Sequence, residues 1–288
     1  MVKNFTLKRV VTFITSLCLS CVMLFSLSGC TMLKRQYSRD LIAAIEANDM
    51  EELQALVDKG GDLDMLPLGK ILADGFSRAP LTVAVVNANF EAVKILIEAG
   101  ADPNVRSIDS DKSTPLHQAI IGCTKKEFQN NEQLLSTYYD IAYYLMDNGA
   151  DIHLKDNLGD TAICNLVGRY NGREQEFNLF LYLLEKGAKI DEGFEGHIML
   201  YACRDDSCFR VVEYLFENYK IDVNMRSQKE PKNTLLMQSC GYGGAPQICR
   251  YLLEHGADKD LKNNRNETAY MIAEKYNREA VLEVLMQF

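Results

Sequence analysis

The sequence contains few histidines, and none of them belongs to a recognisable catalytic or metal-binding motif. The four histidines, at positions 117, 153, 197 and 255, lie far apart, and no His-Glu-x-x-His motif occurs. There is no Gly-x-Ser-x-Gly around a nucleophilic serine, and Gly241-Tyr242-Gly243-Gly244 lacks the lysine of a phosphate-binding loop. The sequence therefore predicts no catalytic residue, no metal and no cofactor, and it indicates a protein that is not an enzyme.

Acidic residues are absent from the start of the chain and abundant elsewhere. The first 29 residues contain none, whereas the chain as a whole has 40 Asp+Glu against 31 Lys+Arg and a net charge of −9. Such an acidic body repels a phosphate backbone, which argues against a nucleic-acid partner. A hydrophobic fraction of 47% is ordinary for a globular protein and excludes disorder of the whole chain.

The N-terminal segment is typical of an export signal. Residues 1–9 are basic and residues 10–29 are uncharged, a pattern that also fits an uncleaved membrane anchor. Leu27-Ser28-Gly29-Cys30 resembles the lipobox of bacterial lipoproteins, which implies cleavage before Cys30 and lipid on Cys30, enough for a stable anchor. The residue after Cys30 is Thr31 and not aspartate. By analogy with the sorting of Gram-negative lipoproteins, this favours the outer membrane over the inner one. In a Gram-negative cell we therefore expect a lipid-anchored protein of the cell envelope, at the outer membrane and facing the periplasm.

Two short motifs recur through the rest of the chain. Thr114-Pro115-Leu116-His117-Gln118-Ala119 resembles the Thr-Pro-Leu-His-x-Ala signature of ankyrin repeats, and Thr114 with Pro115 suits the N-cap and first turn of a helix. Gly-Ala-Asp-type endings resemble the end of the same repeat and occur at Gly100, Gly149, Gly187 and Gly256. The resemblance implies an all-α ankyrin-repeat solenoid of about seven helix-turn-helix repeats joined by β-turn or hairpin loops.

Aligning the repeats divides the chain into three parts. Residues 1–29 are the lipoprotein signal peptide, residues 30–38 a short tether, and residues 39–288 the ankyrin-repeat domain. Repeat starts fall near residues 39, 79, 114, 161, 197, 234 and 268. The third repeat contains about 14 extra residues, which we interpret as a polar loop followed by a lengthened second helix.

Six cysteines remain after the signal and Cys30 are set aside: 123, 164, 203, 208, 240 and 249. Cys203 and Cys240 occupy a position where ankyrin repeats carry a small buried alanine, so they are expected in the core. Cys203 and Cys208 also flank a four-residue turn and are candidates for a disulfide, which an oxidising envelope would permit. Both interpretations remain open.

The resemblance also implies a binding surface, because ankyrin proteins bind partners with their concave face. On that face, aromatic and arginine side chains are the usual hot spots. The positions that form this face in other ankyrin repeats correspond here to the following candidate protein-binding residues: Leu158, Arg169, Tyr170, Tyr201, Arg204, Asp205 and Tyr242.

These features predict a lipid-anchored envelope protein that binds another protein, not a small-molecule substrate. Some bacterial lipoproteins that this chain resembles are immunity proteins that neutralise a secreted antibacterial toxin, and an acidic surface would speed encounter with a basic toxin. The alternatives are a structural or regulatory adaptor of envelope enzymes, and a thiol-redox protein or enzyme that uses Cys203 and Cys208.

Overall fold

The computed structural model describes residues 35–66, 78–107, 112–128, 130–193, 196–241 and 243–288. Within these ranges the helices come in seven consecutive pairs. The first helices of the pairs are residues 35–46 (α1), Pro80–Val86 (α3), Pro115–Thr124 (α5), Ala162–Gly168 (α7), Met199–Ala202 (α9), Leu235–Ser239 (α11) and Ala269–Lys275 (α13). The second helices are Met50–Lys59 (α2), Phe90–Glu98 (α4), Glu132–Asp147 (α6), Glu174–Glu185 (α8), Phe209–Asn218 (α10), Pro246–Glu254 (α12) and Glu279–Gln287 (α14).

The predicted repeat starts lie close to where the first helices begin. Thr114, Thr161, Thr234 and Thr268 are the N-caps of α5, α7, α11 and α13, and the hydroxyls of three of them, all but Thr161, accept a hydrogen bond from a backbone amide one turn later. The first pair differs. Arg39, the expected start, lies within a helix that already includes residue 35, so the last residues of the predicted tether are helical.

Each helix pair packs on the next, and the predicted all-α ankyrin-repeat solenoid is confirmed. The first helices contact one another in the order α3, α5, α7, α9, α11 and α13, and the second helices do so from α2 to α6 and from α10 to α14. No strand occurs in the described ranges. The loops between pairs are hairpin-like, with bonds such as Asp156 N to Asp160 O at 2.9 Å and Ser227 N to Asn233 O at 2.9 Å.

The core lies between the two rows of helices and is apolar along its whole length. Leu116, Ile120, Leu145 and Phe180 are among its fully buried side chains. Aromatic pairs connect neighbouring second helices, for example Tyr143 on α6 with Tyr182 on α8, whose ring centroids are 4.9 Å apart. One repeat alone could not bury these faces, so stability comes from the junctions between repeats.

The expected lengthening of the third repeat is confirmed. Its second helix, α6, has 16 residues, compared with nine in α4, and a 3₁₀ turn at Lys126–Phe128 precedes it. The added length allows Tyr138 to reach back, where its hydroxyl donates to the carbonyl of Val86 at 2.7 Å. None of the helices in the described ranges combines the length and the apolarity needed to cross a bilayer.

Candidate protein-binding groove

The hairpin loops and the first helices border a recessed surface near the C-terminal repeats. We call this cavity of about 540 Å³ groove A; it lies between the loop at 227–233 and helices α11 and α13. Met237 and Ile272 form a buried apolar floor beneath it. Its charged lining consists of Arg204, Lys229, Glu230, Arg265, Glu267 and Lys275. An apolar floor with a polar charged rim is the usual composition of a protein-binding site.

The two carboxylates of groove A are held by neighbours within the protein. Both Glu230 carboxylate oxygens accept from the Asn264 amide at 2.9 Å. Glu267 accepts from Asn263 Nδ2 at 3.0 Å and from Lys275 Nζ at 2.8 Å, and these two bonds lower its pKa. The exposed Arg265 guanidinium, in contrast, makes no hydrogen bond or ion pair with any described residue.

A second cavity, groove B, lies beside the ends of α5, α7 and α9. It has a volume of about 480 Å³, and its charged lining consists of Lys125, Lys126, Glu127, Arg169, Arg204 and Asp205. Arg204 lines both cavities. Its guanidinium lies 5.1 Å from the centre of the Tyr201 ring, and its Nε donates to Gln238 Oε1 at 3.4 Å, so the side chain is fixed where the two grooves meet.

Several residues predicted for binding are placed where a partner could reach them. Arg169 and Asp205 are exposed on groove B, and Arg204 is half-buried between the grooves. Leu158 is 59% exposed at the tip of the hairpin loop at 156–160, away from both grooves. Tyr242 and the lipidation site Cys30 lie outside the described residues.

Tyr170 and Tyr201, both candidate binding residues, are almost wholly buried. Tyr201 is 7% exposed, and its hydroxyl donates to the Asp160 carboxylate across a repeat junction. Tyr170 is 6% exposed, and its hydroxyl donates to the carbonyl of Arg173 at 3.4 Å. Burial raises the pKa of Tyr170 well above its usual value. Both residues nevertheless belong to the lining of groove B.

His117 has the structural role expected of the signature histidine. Its Nδ1 accepts from the Thr114 amide at 3.3 Å, so Nε2 carries the proton and donates to the carbonyl of Asp160 at 3.1 Å. The residue is 1% exposed, with no solvent access for proton transfer. It therefore connects the third repeat to the hairpin loop of the fourth.

All six cysteines in the described part of the chain are buried free thiols. Cys203 is fully buried, and burial raises its pKa far above the ordinary value; burial also raises the pKa of Cys208 to about 12. Cys208 Sγ points to the carbonyl of Val167 at 3.6 Å. These thiols have neither the exposure nor the lowered pKa that thiol-redox chemistry needs.

Sequence reasoning missed a contact between Cys240 and Cys249, at the end of α11 and in α12. The interaction between the two thiols raises the pKa of Cys240 and lowers that of Cys249. It also missed Lys229 and Lys275 in groove A. No local feature of the sequence distinguishes either lysine from other surface lysines.

No group of three or more His, Cys, Asp or Glu residues within the described ranges could hold a metal ion. The grooves provide charged rims over apolar floors, which suits a protein surface.

Comparisons with known proteins agree with this geometry. The family profile for ankyrin repeats (3 copies) matches residues 41–127 and 221–287. The B-cell lymphoma 3 protein homolog of Mus musculus is 28% identical over 198 residues, which cover 68% of this chain and 40% of that protein. The chain spans only 13 to 40% of the length of the first curated relatives that it matches.

Two solved structures share the fold. The ankyrin-repeat domain of Bcl-3 has a TM-score of 0.58 at 24% identity, covering 86% of this chain and 97% of that domain. A structure of a predatory endopeptidase from Bdellovibrio bacteriovorus in complex with an immunity protein has a TM-score of 0.55 at 24% identity, covering 72% of this chain and 96% of the matched chain. The stacked helix pairs, the signature capping at Thr114 and the family match together establish that this chain belongs to the ankyrin-repeat family and carries a protein-interaction domain.

Proposed function

We propose that this protein is a lipid-anchored member of the cell envelope that binds another protein through grooves A and B. The observation that carries the proposal is that the two grooves have Arg204 in common, whose side chain lines both. Neighbouring grooves with charged linings offer a partner binding contacts on several repeats. Such a surface supports recognition of a folded protein or an extended segment.

The anchor part of the proposal is supported by Leu27-Ser28-Gly29-Cys30 and by the uncharged run before it. Lipid on Cys30 would hold the repeats close to the membrane, because the described helix α1 already includes residue 35. Replacing the nucleophile, Cys30→Ser, should move the protein from the membrane fraction to the soluble fraction or leave it unprocessed. A mature N-terminus upstream of residue 30, measured by mass spectrometry, would contradict lipidation.

We further propose that the partner is a secreted antibacterial toxin and that this protein is its immunity protein. An immunity protein of Bdellovibrio bacteriovorus occurs in one of the complexes with the same fold, and immunity requires only tight binding that blocks a toxin. An envelope position would place the protein where an incoming toxin first arrives. The charged linings of grooves A and B, which suit a protein surface, support this role.

The test is a competition between sibling strains. A strain lacking the protein should be killed by toxin-secreting siblings, and restoring the wild-type gene should rescue it, whereas Cys30→Ser should rescue it poorly. Equal survival with and without the protein would exclude immunity. If survival is equal and the protein still copurifies with an envelope enzyme whose activity it alters, the adaptor role replaces the immunity role.

A further inference from the structure

Charge is distributed unequally between the two rows of helices. Among the described helices from α2 to α14, the second helices carry sixteen acidic and four basic residues. The first helices from α3 to α13 carry one of each, Glu274 and Lys275, both on α13. The acidity of the chain is therefore concentrated on the second-helix side, opposite the grooves.

The grooves have the reverse balance. Together, grooves A and B are lined by seven lysine or arginine residues and four aspartate or glutamate residues, although acidic residues outnumber basic ones in the whole chain. In groove A the carboxylates of Glu230 and Glu267 are bonded to Asn264, Asn263 and Lys275. The charge of Arg265 also lowers the pKa of Glu267, but the Arg265 guanidinium makes no hydrogen bond with a described residue, so its donors remain for a ligand.

We infer that groove A binds an acidic segment of the partner protein, with a partner carboxylate at Arg265 and an apolar side chain on the floor at Met237 and Ile272. The inference rests on the proposed function and specifies the chemistry of its partner. Arginine suits this role because its planar guanidinium binds a carboxylate with two parallel hydrogen bonds. The inference also revises the expectation, based on net charge, that an acidic protein selects a basic partner.

An acidic peptide fits groove A better than an anionic membrane does. The cavity is recessed between the loop at 227–233 and α13, where a flat bilayer surface cannot follow it, and its floor is apolar rather than charged. The second helices would add repulsion between the protein and anionic lipid. A side chain that projects from a partner protein meets neither obstacle.

The first experiment uses the mature full-length chain and two short fluorescein-labelled peptides, one alternating glutamate with leucine and the other lysine with leucine. Net charge alone predicts that the lysine peptide binds, whereas groove A predicts that the glutamate peptide binds. Fluorescence anisotropy should show glutamate-peptide binding that weakens as salt rises, because exposed charges are screened. Preference for the lysine peptide, or stronger binding to phosphatidylglycerol vesicles than to the peptide, would overturn the inference.

Charge-reversal variants inside and outside groove A test whether its rim binds the glutamate peptide. The double variant Arg265→Glu with Lys229→Glu should weaken glutamate-peptide binding at least about tenfold. Lys220→Glu, an exposed reversal in the loop after α10 that lines neither groove, should leave binding unchanged. Equal thermal unfolding of the three proteins would show that the loss does not come from misfolding, and equal binding by all three would overturn the inference.

Capture of the natural partner separates this inference from the proposed function. If the anchored wild-type protein and both variants retain the same envelope partner equally, the binding function stands and the acidic-segment inference fails. If none retains any partner, the proposed function itself fails. Loss of the partner with the double variant alone, together with displacement by the glutamate peptide, is the expected result.

Discussion

The hydroxyl of Tyr201 donates a hydrogen bond to the carboxylate of Asp160, 41 residues earlier in the chain. The main-chain carbonyl of the same aspartate accepts a hydrogen bond from His117, which lies one repeat before it. Asp160 therefore joins the third, fourth and fifth repeats through two different groups. Its buried position explains why Tyr201, predicted as a binding residue, faces a neighbouring repeat instead of solvent.

Removing the Tyr201 hydroxyl should weaken the fold and leave the grooves intact. We expect Tyr201→Phe to lower the free energy of unfolding by about 1–3 kcal/mol, because it leaves a buried carboxylate without one of its donors. Urea denaturation followed by circular dichroism measures this change. Leu158→Ala, at a 59% exposed position, is the control and should change stability by less than about 0.5 kcal/mol. If Tyr201→Phe keeps wild-type stability but no longer binds the partner, Tyr201 contacts the partner directly.

A buried carboxylate on α8 should matter more for stability. The Glu176 side chain is fully buried, and it accepts from the Asn171 amide at 2.7 Å and from Arg173 Nη1 at 3.2 Å. Glu176→Gln should cost roughly 3–5 kcal/mol of unfolding free energy, because it breaks a buried ion pair and leaves Arg173 without its charge partner. In Glu174→Gln, the pair with Arg210 is exposed to solvent, so the loss of stability should be much smaller. Similar losses in the two variants would contradict this account.

His197 should make the stability of the fifth repeat depend on pH. The residue is 8% exposed, its Nδ1 accepts from the Met199 amide at 3.1 Å, and burial lowers its pKa below the ordinary 6.5. The folded state therefore favours the neutral ring. The stabilisation that the neutral His197 ring provides is fully present above pH 6.5. It is lost as the pH falls through the pKa of His197 in the folded state, which is the lower of the two.

Thermal unfolding between neutral and mildly acidic pH measures that dependence. His197→Gln should flatten the decline in melting temperature over this interval, whereas His153→Gln, at an exposed position, should follow the wild-type curve. A wild-type curve that stays level as the pH falls from 6.5 would exclude this role for His197.

Oxidation should select a different cysteine pair from the one that the sequence suggested. The thiols of Cys240 and Cys249 interact, and this interaction lowers the pKa of Cys249, which makes it the better nucleophile of the two. Treatment with diamide, which takes up the two hydrogens that the thiols lose, should link Cys240 to Cys249 before it links Cys203 to Cys208. Peptide mapping without reduction identifies the bridge, and Cys249→Ala is the control that should abolish it. A dominant Cys203–Cys208 bridge would show that the earlier candidate was right.

Local signals predicted the repeated architecture well, because they act over a few residues. The capping of α5 by Thr114 and the inward bonding of His117 follow from one hexapeptide, and the structure confirms both. Gly100, which belongs to one of the predicted repeat endings, follows α4 with a left-handed φ of 92°. The burial of Cys240 was predicted in the same way, from its position within a repeat.

The binding surface was harder to predict, because it depends on contacts between repeats. Whether Tyr201 faces solvent is decided by Asp160 in the preceding repeat, and no pattern within either repeat encodes that pairing. Groove A likewise forms only where the loop at 227–233 approaches α13, so Lys275 has no local feature that distinguishes it from other surface lysines. The start of α1 was also hard to predict, because Arg39-Asp40 has neither the threonine found at four of the other starts nor the proline that follows two of them.

The separation of acidic second helices from cationic grooves gives the described part of the molecule a permanent electric dipole across its width. In the field of a charged partner such a body experiences a torque before any atoms touch, and it rotates until the grooves face the approaching anionic surface. Productive orientation would then precede contact, and its advantage would shrink as ionic strength shortens the range of the field.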